Sequence, residues 1–214
     1  AFSQRAKYGA SFVKAWSAKG GETIYATFLG GQDYQNVSTM YGAFPRGFLP
    51  GVLSMFPDAE RILHLFSGSL TAAQVNEAWD PLMPNRPDKP VQLRFDSGRH
   101  PAAAAAQPDV IGDATLLEEA LVAEPPFDLV VADPPYEKHD VERYAKEAGI
   151  PARMPNKKQV VTECAKVLRS GGWLVWLDTA RPMYSGHEWI ARGGITVVRS
   201  TNHRVRWACL LEHR

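Results

Sequence analysis

An almost unbroken apolar run, Phe127 to Ala132 with only Asp128 polar, stops at Asp133-Pro134-Pro135-Tyr136. Such a run suits a strand buried on both faces, hence a parallel sheet covered by helices. Two successive prolines cannot extend a sheet or open an ordinary helix without cost, so they fix the backbone as it leaves the strand. The pattern recurs upstream. Ile62 to Phe66 runs into Ser67-Gly68-Ser69, Val91 to Phe95 ends at Asp96, and a weaker run from Asp109 to Gly112 ends at Asp113. Helical stretches from about Leu70 to Trp79 and from Leu116 to Val122 separate these runs. Strands alternating with helices predict an α/β fold.

Downstream, residues 137–155 are charged and carry Gly149, Pro151 and Pro155, which predicts a long polar loop with at most a loose helix. Val160, Val161, Cys164, Val167 and Leu168 fall at helical spacing, and Gly171-Gly172 reads as the cap of that helix. Trp173 to Leu177 is a strand, Trp189-Ile190 a short helix, and Ile195–Val198 with Val205–Leu211 an antiparallel hairpin. The expected architecture is a Rossmann-like sheet of seven strands, mostly parallel, with an antiparallel last strand. Ala102 to Ala106 is a short helix or filler loop, Tyr8 to Trp16 a short helix, and Tyr41 to Pro57 a loop feeding a short helix. Residues 1–45 are expected to pack on the core as an extension. Residues 46–214 are expected to form one unit without a separate target-recognition domain.

With 214 residues, 45% of them hydrophobic, the chain can build a core without a staple and is not dominated by disorder. No apolar run approaches the roughly 18 residues of a membrane helix. Cys164 and Cys209 have neither pairing nor metal-ligand spacing, which predicts a reducing, cytoplasmic setting and no metal. The net charge of +1 hides a split. Residues 1–136 carry 10 Lys and Arg against 15 Asp and Glu, and residues 137–214 carry 14 against 8. A basic half suits a polyanion, although such a split also arises from two solvated faces.

In an open parallel sheet, ligands bind beyond the carboxyl ends of the strands. Ser67 to Ser69, Asp96, Asp113 and Asp133 all fall at such ends. Gly68 lets a ligand approach the backbone, and an acidic residue after the second strand suits ribose hydroxyls. Taken singly, Asp96 and Asp113 also fit helix N-caps or turns. The rigid proline turn offers the Asp133 carboxylate and the Pro134 carbonyl as neighbouring acceptors, which suits an amino group with two donor hydrogens. Tyr136 adds a flat face on which a base can stack, typically for about 1–3 kcal/mol.

Phe66-Ser67-Gly68-Ser69 followed by Asp133-Pro134-Pro135-Tyr136 resembles the S-adenosylmethionine-dependent amino-methyltransferases that act on adenine N6 or cytosine N4 of DNA. The resemblance covers residues 41–212 in outline and is sharp at these two motifs. It implies the class I methyltransferase fold, with Phe66, Ser67, Gly68 and Ser69 lining the S-adenosylmethionine pocket. It further implies that Asp96 holds the ribose, that Asp113 contacts the adenine amino group, and that Asp133 faces both cofactor and target amine. Tyr41 to Gly47 resembles a cofactor-binding segment that precedes the glycine turn in some of these enzymes. His64 stands where the family commonly has an acid, and Leu70 where it has a second glycine. A partly buried His64 bonded to backbone is the expected alternative to a ligand contact.

These features predict methyl transfer to an exocyclic amine, adenine N6 in DNA first, with Asp133, Pro134, Pro135 and Tyr136 as the catalytic turn. Ribosomal or transfer RNA, methylated at adenine N6 or guanine N2, is the second substrate class. A binding subunit without turnover, with Leu70 narrowing the pocket, is the third reading. Arg153, Lys157, Lys158, Arg204 and Arg206 are expected to flank the target base as phosphate contacts, or else to be a solvated helix start and hairpin edge. Sequence specificity, where needed, would come from a partner chain or a homodimer.

Overall fold

The computed structural model describes residues 24–30, 44, 48–79, 89–151, 153–199 and 205–214. In chain order the elements are β1 Ile24–Gly30, α1 Phe48–Leu53, β2 Arg61–Leu65, α2 Ala72–Trp79, β3 Val91–Asp96 and α3 Pro101–Ala106. There follow β4 Val110–Ile111, a 3-10 turn Ala114–Leu116, α4 Leu117–Ala120, β5 Phe127–Ala132 and α5 Lys138–Ala148. Then come α6 Lys157–Val167, β6 Leu168–Asp178, β7 Trp189–Arg199 and β8 Val205–His213. The strands form one sheet in the order β1-β7-β8-β6-β5-β2-β3-β4. Only β8 runs antiparallel, to both β6 and β7. The seven anticipated strands are present in the anticipated sense, and β1 adds an eighth, parallel to β7.

Both sheet faces are buried, which is why the strands read as continuous apolar runs. Leu63, Leu65, Val130, Leu174, Trp176 and Leu211 pack with Leu117 of α4 and with Val160, Val161 and Cys164 of α6. On the other face Ile62, Leu129, Val131, Val175 and Leu210 pack with Phe48 and Leu53 of α1 and with Val75 and Trp79 of α2. Asp128, the polar interruption in β5, accepts the Glu60 and Arg61 amides at 2.7 Å each and pairs with Arg169. It ties the start of β2 to its neighbour. The chain runs outward from β2 through β3 to β4, then returns to place β5 on the opposite side of β2. That reversal sets the turns after β2 and β5 side by side, the usual place for a ligand crevice.

Several local expectations are corrected. Residues 137–155 are not mainly loop, because α5 fills Lys138–Ala148 and ends where Gly149, at φ +65°, donates to the Ala145 carbonyl. Its buried stripe, Asp140, Val141 and Ala145, is too small to stand out among charged neighbours. Gly171-Gly172 does not cap α6. The helix ends at Val167, β6 begins at Leu168, and the glycines lie inside the strand where its pairing with β5 shifts register. A Cβ on Gly172 would sit 2.9 Å from the Arg169 carbonyl oxygen, so the bulge requires glycine. Trp189-Ile190 is not helical but opens β7, paired with His213 and Glu212 of β8. Cross-strand pairing decides that segment. Tyr8–Trp16, and the stretch 41–47 apart from Phe44, lie outside the described residues. Among the described residues no helix is long and apolar enough to cross a membrane, and no cluster could hold a metal ion.

Candidate active site

The turn after β2 is bound to the end of β3. The Gly68 amide donates to Asp96 Oδ2 at 2.9 Å, while Asp96 Oδ1 accepts the Gly98 amide at 3.0 Å. Phe66 and Gly68 both adopt positive φ, 58° and 53°. For Phe66 that is a strained conformation, of the kind concentrated at ligand-binding turns. The Phe66 ring meets Trp176 of β6 edge-on, centroids 6.4 Å apart. The Ser67 and Ser69 hydroxyls are buried without a hydrogen-bond partner. Just upstream, His64 is fully buried rather than partly so, and its Nε2 meets Gln92 Oε1 at 2.9 Å rather than a backbone group. Burial, together with the nearby Arg94, lowers its pKa to about 4, so the ring is neutral. Leu70 is buried in the core on the α1–α2 face, not directed at the crevice.

The turn after β5 lies beside it, with the Asp133 amide donating to the Leu65 carbonyl at 3.4 Å. Asp133 and Pro134 are buried, Pro135 and Tyr136 half-buried. The Tyr136 hydroxyl donates to Asp133 Oδ1, and burial with that carboxylate's charge pushes the phenol pKa far upward. The Arg206 guanidinium lies over the Tyr136 ring, 4.4 Å from its centroid. Lys157 Nζ donates to the Tyr136 carbonyl at 2.9 Å and pairs with Asp178 Oδ2 at 2.7 Å.

The structure therefore gathers Phe66, Ser67, Gly68, Ser69, Asp96, Asp133, Pro134, Pro135 and Tyr136 at neighbouring strand ends. Asp113 caps the 3-10 turn, accepting the Thr115 amide and hydroxyl at 2.9 and 2.7 Å. Those bonds hold its pKa below the usual carboxylate range. Arg153 stands 3.6 Å from Asp113 Oδ2. Of the basic residues expected as phosphate contacts, Lys157 pairs with Asp178, and Arg206 lies over the Tyr136 ring. Lys158 is exposed, and Arg204 lies outside the described residues. Asp178 went unnoticed in the sequence, although it ends the apolar strand β6 as Asp96 and Asp133 end theirs.

These residues fit S-adenosylmethionine. Two unpartnered buried hydroxyls and the Asp96 carboxylate flank a glycine turn at the sheet's reversal point, and a nucleoside ligand uses such groups. The cysteines offer no competing nucleophile, since burial raises both the Cys164 and Cys209 thiol pKa values.

No family model matches the sequence, and no curated protein matches it. Solved structures do resemble the fold. TrmN of Thermus thermophilus matches over 78% of this chain and 49% of its own, with 18% identity and a TM-score of 0.47. A Listeria monocytogenes protein assigned to the class I S-adenosylmethionine-dependent methyltransferases matches over 84% and 63%, with 10% identity and a TM-score of 0.47. An O-methyltransferase family protein of Burkholderia thailandensis matches over 62% and 37%, with 13% identity and a TM-score of 0.38. The chain spans less than two thirds of each of these proteins.

Proposed function

We propose that the protein is a methyltransferase that moves a methyl group from S-adenosylmethionine to an exocyclic amine of a nucleobase, adenine N6 in DNA first. The observation that carries this reading is the juxtaposition of the Ser67–Ser69 turn with the Asp133–Tyr136 turn at the sheet's reversal point. When bound, S-adenosylmethionine supplies an electrophilic methyl on sulfur. The protein's own part is positioning and electrostatics. An exocyclic amine is a poor nucleophile because its lone pair is delocalised into the ring. The Asp133 carboxylate and the Pro134 carbonyl accept its two hydrogens and free the lone pair. Tyr136 already donates to Asp133, so an incoming amine shares or displaces that bond. The raised thiol pKa values argue against a covalent cysteine route to a ring carbon.

Structured RNA, methylated at adenine N6 or guanine N2, is the second reading. One observation favours it: among the described residues between β2 and β8, the sheet carries no insertion of domain size that could read a duplex sequence. Either substrate class makes nucleic acid the partner, and a specificity-giving second chain or a homodimer fits the same absence.

Transfer of labelled methyl to DNA, RNA and free nucleosides, followed by identification of the modified base, tests the reading. Label is expected on an exocyclic nitrogen of a nucleic acid. S-Adenosylmethionine is also expected to raise the melting temperature by mass action, and Gly68→Val, at φ +53°, to abolish that rise. No rise with the parent protein would overturn the enzyme reading and favour the binding subunit.

A further inference from the structure

Behind the Asp133–Tyr136 turn lies a cross-link between three elements. Lys157, the first residue of α6, reaches the Tyr136 carbonyl at 2.9 Å and Asp178 Oδ2, at the end of β6, at 2.7 Å. Asp178 is 2% exposed, and the rest of its carboxylate is also engaged. Oδ2 accepts the Trp176 indole N–H at 3.3 Å, and Oδ1 accepts the Thr179 amide at 2.7 Å. A lysine in a helix's first turn faces the positive end of the helix dipole, and holding its long side chain in one place costs entropy. The helix does not need it, because the Asn156 side chain already caps the end by accepting the Gln159 amide at 3.2 Å. In the turn, by contrast, Pro134 and Pro135 have no N–H with which the backbone could brace itself, and the Tyr136 carbonyl takes its bond from Lys157.

We propose that Lys157, anchored by Asp178, is a positioning residue that sets the Tyr136 carbonyl, and through it the Tyr136 side chain and the Asp133 carboxylate, for methyl transfer. This rests on the function proposed above and adds two residues to it. Neither residue touches the reacting atoms. Their effect is therefore on geometry, which shows in turnover rather than in cofactor affinity.

The test compares the full chain with Lys157→Met, Lys157→Arg and the double variant Lys157→Met/Asp178→Asn. Two measurements are made: amide hydrogen exchange across residues 133–140, and steady-state methyl transfer at saturating S-adenosylmethionine. In Lys157→Met the turn's amides should exchange faster while β6 and β8 stay unchanged. Its kcat should fall about 10- to 100-fold, as a misplacement near 1 Å does, with KM for the cofactor unchanged. Lys157→Arg should restore most of kcat, because its fork can reach both acceptors. The double variant removes the uncompensated buried carboxylate, so it answers for Lys157→Met if that protein fails to fold, and the same loss of kcat is expected. A parent-like kcat, a loss confined to KM, or unchanged exchange at the turn each overturns the proposal. If the parent transfers no methyl to any substrate, the functional reading falls by itself. Exchange at the turn then decides alone whether Lys157 holds it.

Discussion

After β2 the chain leaves the Ser67 and Ser69 hydroxyls buried without a partner, whereas after β5 Asp133, Tyr136, Lys157 and Asp178 are bonded to one another. The two turns are neighbours at one sheet reversal, yet they treat polar groups in opposite ways. An unsatisfied buried hydroxyl costs about 1–3 kcal/mol, a cost that a ligand's polar groups can remove. A satisfied network has little to offer a new partner but holds its members in place. The first turn is therefore suited to binding, the second to presenting acceptors at a fixed geometry.

The hardest way to break this contrast is Asp133→Ala. Losing a preorganised acceptor typically costs about 10²–10³ in rate, and turnover should fall by at least that much in a variant that still folds. Methyl transfer at parent rate by the folded variant would falsify the assignment of the turn. Nearly as large is a pH effect on the binding side. Neutral, buried His64 has a pKa near 4 against an ordinary 6.5, so between those values the unfolded chain binds a proton that the native protein does not. Stability is full above pH 6.5 and declines as pH falls toward 4, by about 3 kcal/mol in all. Urea unfolding of the parent and of His64→Asn measures this, and equal pH slopes for the two proteins would remove His64 as the cause.

Tyr136 separates the ring from the hydroxyl. Tyr136→Ala should weaken nucleic-acid binding by about 1–3 kcal/mol through lost stacking, whereas Tyr136→Phe should stay within a few-fold of the parent. Equal losses would place the effect in the hydroxyl bond to Asp133. Ser67→Ala sharpens the contrast from the other side. The free protein should gain about 1 kcal/mol in stability while its affinity for S-adenosylmethionine drops a few-fold, by calorimetry. Unchanged affinity would mean that the hydroxyl meets no ligand. The smallest effect concerns phosphates. Lys158→Ala should lower the slope of log affinity against log salt by about one. A change in slope with Arg206→Ala as large as with Lys158→Ala would show that the guanidinium leaves the Tyr136 ring to meet a phosphate.

Much of this arrangement was legible in the chain. Strands buried on both faces are apolar at most positions, so β2, β5 and the second half of β6 announced themselves, and a polar residue stood at or just after the end of each. The Asp133-Pro134-Pro135-Tyr136 turn was legible because prolines restrict backbone whatever surrounds them. By contrast α5 was hidden, since its few buried positions were outnumbered by charges. Gly171-Gly172 misled because a helix cap and a strand bulge ask the same freedom of glycine. Trp189-Ile190 needed its distant partners, His213 and Glu212, to become strand.

The sequence by itself determined the alternation of strands and helices, the antiparallel hairpin at the end, and the residues at the strand tips. These follow from local covalent geometry and from hydrophobic periodicity, both of which act over a few residues. Only the tertiary structure decided how those tips are used. Lys157 and Arg206 read as open cations, but Asp178 lies 21 positions from Lys157, and Tyr136 lies seventy from Arg206. A charge's partner is chosen by whatever the fold brings within a few ångströms, and linear spacing carries no record of that distance.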